Sequence, residues 1–161
     1  MFLRLLNKFR KSPIQDTSHS IPDGQRVYCI GDIHGRADLL THLHELILKD
    51  ARRYQGDKTI VYLGDCIDRG EQSRQVIEML LSQPLPGFKA IYLKGNHEQA
   101  MLDFMEYPEA AAAWLTFGGR ETLNSYGIPV PYIPTLKEIP SLAEKLRQEW
   151  HCVIDEIHTK L

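Results

Sequence analysis

Three short loops hold most of the residues in this chain that could do chemistry. They are Gly31-Asp32-Ile33-His34-Gly35, Gly64-Asp65-Cys66-Ile67-Asp68-Arg69-Gly70 and Gly95-Asn96-His97-Glu98. Asp32, His34, Asp65 and Asn96 are of metal-ligand type. Carboxylate, carboxamide and imidazole together suit a borderline divalent ion such as Mn²⁺, Fe²⁺ or Zn²⁺ better than Ca²⁺, which takes oxygen ligands. Arg69 adds a planar fork that matches a phosphate. Asp68, His97 and Glu98 add two carboxylates and an imidazole that can titrate near neutral pH. A single Gly-Asp after a strand is an ordinary turn or helix cap. Three such loops in register on one sheet edge are not explained by turn chemistry alone.

The elements around the loops predict that register. Each loop follows a short β-rich apolar run: Val27 to Ile30, Thr59 to Leu63 and Ala90 to Lys94. Helical stretches lie between them, with Leu39, Leu40, Leu43, Leu46 and Ile47 as one apolar face and Val76, Ile77, Leu80 and Leu81 as another. Strand–helix–strand–helix–strand implies crossover connections and a parallel sheet. Ligands of such sheets sit beyond the carboxyl ends of the strands. Order along the chain therefore brings Asp32, Asp65 and Asn96 to one edge, in an α/β fold.

The rest of the chain bounds the reading. Its 161 residues suffice for one domain with a hydrophobic core. The hydrophobic share of 43% and charged share of 25% fit a soluble globular protein and argue against wholesale disorder. The 19 basic and 21 acidic residues leave a net charge of −2, which argues against nucleic acid as a partner. No GxxxxGK[ST] run exists, which excludes a P-loop nucleotide binder. Cys29, Cys66 and Cys152 are odd in number and widely spaced, which points to a reducing, cytoplasmic compartment. Cys29 within the first strand reads as core, and Cys66 as a small buried loop residue.

The loops resemble the three N-terminal motifs of the PPP-type calcineurin-like metallophosphoesterases, GDxHG, GDxxDRG and GNHE, in order and without a departure at a functional position. That family includes serine/threonine protein phosphatases and symmetrical diadenosine tetraphosphate hydrolases. The stretch Trp114 to Gly127 is also similar to a segment of its bacterial members, which favours a phosphoprotein substrate over a dinucleoside polyphosphate. The resemblance implies an α/β sheet sandwich flanked by helices, with a two-metal centre at the strand ends and Mn²⁺ as the expected ion. It implies Asp32 and His34 on the first metal, Asp65 bridging both and Asn96 on the second. It implies His97 as general acid, Asp68 as its orienting carboxylate and Arg69 as a phosphate-binding residue. The expected reaction is hydrolysis of a phosphate monoester by metal-activated hydroxide. Glu98 is expected to turn away from the metals and support the helix start.

Family members continue past this length and supply two further histidines to the second metal. The expectation is therefore residues 1–25 as tail and linker and 26–161 as the N-terminal part of a metallophosphoesterase domain, its C-terminal half missing. A catalytically inactive, metal-binding fragment is the competing class. Near the end, His151, Asp155 and His158 fall at i, i+4, i+7, but on a face away from Leu146, Trp150 and Val153, so they are read as solvated. His42 and His44 are read as surface or boundary residues. At the start, Phe2, Leu5, Leu6 and Phe9 share a helical face beside Arg4, Lys8 and Lys11; so short a stretch is not expected to hold a membrane.

Overall fold

The computed structural model describes residues 20–82 and 85–158, with side chains through residue 151. The amphipathic stretch at residues 1–11 lies outside the described residues, as do the side chains of Asp155 and His158. Strands β1 (Gln25–Ile30), β2 (Asp57–Tyr62) and β3 (Lys89–Tyr92) form a parallel sheet in the order β1-β2-β3. Helices α1 (Ala37–Ala51) and α2 (Ser73–Ser82) make the two crossovers. The register pairs Ile30 with Tyr62 and Tyr62 with Tyr92. The three strands therefore end level, and the three loops leave from the same edge. The remainder is helical: α3 (Asn96–Glu106), a 3-10 turn (Ala112–Thr116), α4 (Gly119–Ser125) and α5 (Glu138–His158). The fold is α/β, with a parallel sheet flanked by helices, as the order of the elements implies. Among the described residues there is one sheet.

Two apolar clusters hold these elements. Ile30, Leu40, Ile47, Ile60, Tyr62, Val76 and Leu80 fill the layer between the sheet and α1 and α2. Met101, Phe104, Trp114, Leu123, Leu142 and Leu146 fill the space among α3, the 3-10 turn, α4 and α5. Burying one such side chain fully stabilises by about 1.5–3 kcal/mol, so the second cluster fixes where the segment after α3 sits. That segment returns to the sheet edge, which matters for the site.

Two expectations fail for reasons of phase. On α1 the buried stripe is Ala37, Leu40, His44, Ile47 and Ala51, while Leu39 is 56% and Leu46 48% exposed. His44, read as a surface or boundary residue, takes a place in the buried stripe, where the Tyr62 hydroxyl lies 2.9 Å from its Nε2. The five leucines and isoleucines suggested a face rotated away from that stripe. Cys29, read as core, is exposed. Side chains alternate along a strand; Tyr28 and Ile30 face the helices, so Cys29 faces the other way. The third strand also stops at Tyr92, two residues before the expected Lys94.

Candidate active site

Backbone hydrogen bonds join the first two loops. Ile33 and His34 donate their N–H groups to the Asp65 carbonyl at 3.0 and 2.9 Å, and Gly35 donates to the Cys66 carbonyl at 2.9 Å. Gly70 returns to the His34 carbonyl at 3.1 Å. Among the described residues, the non-glycine positions with positive φ are His34, Asp65, Asp68 and Arg69, all in the first two loops. Backbone in that region costs about 1–3 kcal/mol per residue and persists only where surroundings hold it. Four such residues around one small volume mark a site built at the expense of local comfort.

Glu98 supplies much of the hold. Its carboxylate accepts N–H groups from Asp65 (2.8 Å), Cys66 (2.7 Å) and, more distantly, Ile67 (3.4 Å), and from Gly95 at the start of α3 (2.8 Å). The side chain expected to support the helix thus also fastens the second loop to the third. The carboxylates of Glu98 and Asp65 also bear on Cys66. Burial, with these two charges added, pushes its thiol up to about 12. It is a buried thiol, as its place in the loop suggested, rather than a thiolate.

A ligand group lies at the centre. Atoms of His34, Asp65 and His97 that could bind an ion all lie within 4.8 Å of one another. His34 Nδ1 sits 2.9 Å from the Ile67 carbonyl. A carbonyl only accepts, so Nδ1 carries the proton and Nε2 keeps its lone pair for an ion. Asp32 Oδ2 is 3.6 Å from that Nε2. Asp65 Oδ1 accepts the His97 N–H at 3.0 Å, which fixes the carboxylate in the group. Exposed Asn96 begins α3, one residue before His97. Oriented imidazole with carboxylates fits a divalent ion of the Mn²⁺, Fe²⁺ or Zn²⁺ kind, so the donor set passes the chemical test. The geometric group shares His34 and Asp65 with the four ligands expected from sequence, adds His97, and has Asp32 at its margin.

His97 is buried and edge-on to His34, with ring centroids 4.7 Å apart. Its Nδ1 meets Asp68 Oδ2 at 2.7 Å, and its Nε2 meets the guanidinium of exposed Arg69 at 3.3 Å. Asp68 is wholly buried and is further bonded by Trp114 and Thr122. Neither of these two was singled out from sequence as a site residue. They lie 46 and 54 positions beyond Asp68, within the Trp114 to Gly127 stretch that was read for its family resemblance and not for site residues. Gly118 explains the closeness of that stretch. Its φ is +112°, and a Cβ there would lie 2.5 Å from the Arg69 amide nitrogen, so the chain passes over the second loop only as glycine. His151, by contrast, is exposed on α5.

Comparison with known proteins decides the family. Residues 25–152 match the calcineurin-like phosphoesterase family. The chain belongs to that family. This calcineurin-like phosphoesterase is 35% identical over 96 residues to serine/threonine-protein phosphatase 2 of Escherichia coli (strain K12), a match covering 59% of this chain and 39% of the relative. It is 36% identical over 81 residues to serine/threonine-protein phosphatase rdgC of Drosophila melanogaster, covering 49% of this chain and 12% of the relative. The matches thus span less than half of either relative's length. Among the described residues of the calcineurin-like phosphoesterase, no helix is long and apolar enough to cross a membrane.

Proposed function

We propose that the chain works as a metal-dependent phosphoesterase on phosphate monoesters, with a serine/threonine phosphoprotein as its substrate. The observation that carries the reading is the line Asp68–His97–Arg69 at the lip of the His34 and Asp65 group: a buried carboxylate, an imidazole and an exposed guanidinium in contact. The names of the two relatives support the phosphoprotein substrate.

In this reading Asp32, His34, Asp65 and Asn96 hold two divalent ions, with Mn²⁺ the preferred metal. Bound there, such ions supply Lewis acidity toward phosphate oxygens and a water acidified for in-line attack. The chain's own groups do the remaining work. Arg69 receives the phosphate oxygens in its planar fork. As water oxygen bonds to phosphorus and the ester P–O bond breaks, the departing oxygen takes a proton from His97 Nε2. Asp68, accepting the Nδ1–H, favours the charged imidazole that makes the transfer. Although His97 lies in the geometric ligand group, its Nε2 faces the Arg69 cation. A cation there favours an incoming phosphate, whose negative charge in turn offsets that of the protonated imidazole. The free thiols at Cys29 and Cys66 accord with a reducing cytoplasm.

The test is hydrolysis by the Mn²⁺-loaded chain of phosphoserine and phosphothreonine peptides beside a dinucleoside tetraphosphate and p-nitrophenyl phosphate. Turnover of the peptides is expected. Cleavage of the dinucleotide alone would transfer the site to anhydride chemistry, and metal binding without any hydrolysis would make the chain a binding module.

A further inference from the structure

Asp68 has 0% exposure, and a buried carboxylate is costly unless its oxygens are bonded. Here both are. Oδ2 accepts the His97 Nδ1–H and the Trp114 Nε1–H, each at 2.7 Å. Oδ1 accepts the Thr122 hydroxyl at 2.6 Å. The Asp68 N–H in turn donates to the oxygens of Thr122 (2.9 Å) and Ser73 (3.1 Å). Because Thr122 gives its one hydroxyl proton to the carboxylate, the single Ser73 proton is divided between the Thr122 oxygen at 3.1 Å and the Gly70 carbonyl at 3.5 Å. Both oxygens of the buried carboxylate are thus satisfied by donors from three other segments of the chain.

We infer that Trp114 and Thr122 are positioning residues for proton delivery: through Asp68 they fix the tautomer and ring plane of His97, and so aim Nε2 at the departing oxygen. The inference rests on the proposed acid role of His97. Trp114 bonds Oδ2 and Thr122 bonds Oδ1 of Asp68. They arrive on the 3-10 turn and α4, and the Gly118 carbonyl between them accepts the Arg69 N–H at 3.3 Å. Residues 114–122 therefore hold the second loop at Asp68 and Arg69. Such a role is spent only on substrates whose departing oxygen needs a proton. A merely structural role would depress all substrates alike.

The test compares six forms of the full chain, wild type and five variants. Thr122→Val removes the hydroxyl at nearly constant volume, Thr122→Ser keeps it, and Trp114→Phe removes the N–H while leaving an aromatic ring beside Phe104. With Mn²⁺, Thr122→Val and Trp114→Phe are expected to lower kcat on phenyl phosphate by roughly 10–10²-fold, part of the ~10²–10⁴-fold that a general acid contributes. The expected loss on 2,4-dinitrophenyl phosphate is under about 3-fold, because its leaving group needs no proton. KM should hold, and Thr122→Ser should match wild type. Adding Thr122→Val to His97→Asn should cost nothing further, since the two act as a unit. A second readout does not need activity: in metal-free, ¹⁵N-histidine-labelled chain, the His97 Nδ1–H proton should be protected from exchange. The signal should persist in Thr122→Ser and broaden or vanish in Thr122→Val and Trp114→Phe. An inactive wild type would remove the phosphatase reading and leave this readout to decide. Equal losses on both esters, additivity with His97→Asn, or an Nδ1–H signal unchanged in Thr122→Val and Trp114→Phe or absent from wild type would overturn the inference.

Discussion

The carboxylate of Glu98 accepts the backbone N–H of Asp65 at 2.8 Å, across 33 positions of sequence. One side chain on α3 therefore sets the backbone of the loop at the end of β2, where Asp65 sits with φ at +53°. Its other bonds, to Cys66 and Gly95, make it a bracket between two loops. Glutamine keeps the length but turns one accepting oxygen into an N–H₂ facing N–H donors. Glu98→Gln is expected to cost about 1–3 kcal/mol of stability, the penalty for unsatisfied buried donors. It should also weaken Mn²⁺ binding by about 10–100-fold, as loss of an outer partner of a ligand does. Thermal unfolding and isothermal titration on the same preparation check both. A variant that loses stability but binds Mn²⁺ as tightly as wild type would separate the bracket from the metal.

Metal removal tests the centre itself. Activity on p-nitrophenyl phosphate should disappear after dialysis against chelator and return with Mn²⁺. Asp65→Asn should lose both metal and activity, because its carboxylate is the proposed bridge and is already fixed by the His97 N–H. Undiminished hydrolysis in chelator would remove the ions from the mechanism.

What could be read from sequence and what could not divide along one line. Strand order and level strand ends follow from short apolar runs and crossovers, and they suffice to gather Asp32, His34, Asp65, Asp68, Arg69, Asn96 and His97. Periodicity placed α2 but misphased α1, because a histidine sits in the core stripe where a leucine was expected. The hydroxyl and indole bonds to Asp68 were illegible for a different reason. They depend on how α4 and the 3-10 turn fold back, a consequence of packing in the Phe104, Trp114 and Leu123 cluster rather than of local pattern.

Arg69 allows a cleaner separation of binding from folding. It is exposed, and its guanidinium touches His97 Nε2 at 3.3 Å. Arg69→Ala should leave the unfolding temperature nearly unchanged and raise KM for phosphate esters by about 10–100-fold, the worth of a charged hydrogen-bonded contact. Arg69→Lys should recover only part of this, since a point charge lacks the fork. Phosphate inhibition constants give an independent measure. Equal KM in all three forms would take Arg69 out of phosphate binding.

His44 makes stability depend on pH away from the site. It is buried on α1, and burial holds its pKa below the ordinary imidazole value. The folded protein thus favours neutral His44, while the unfolded chain protonates it near pH 6.5. Above that pH the group is neutral in both states and costs nothing. As pH falls from about 6.5 toward the lower folded value, the unfolded state gains a proton the folded state resists, and stability declines. The Tyr62 hydroxyl, 2.9 Å from Nε2, is expected to donate to the neutral ring. His44→Gln offers Tyr62 an amide oxygen that does not titrate. The difference in unfolding free energy between wild type and His44→Gln should therefore shift in favour of the variant between pH 7.5 and 5.5. Comparing the two proteins at each pH cancels the titration of carboxylates they share. Parallel pH profiles in urea denaturation would show that His44 keeps its ordinary pKa in the fold.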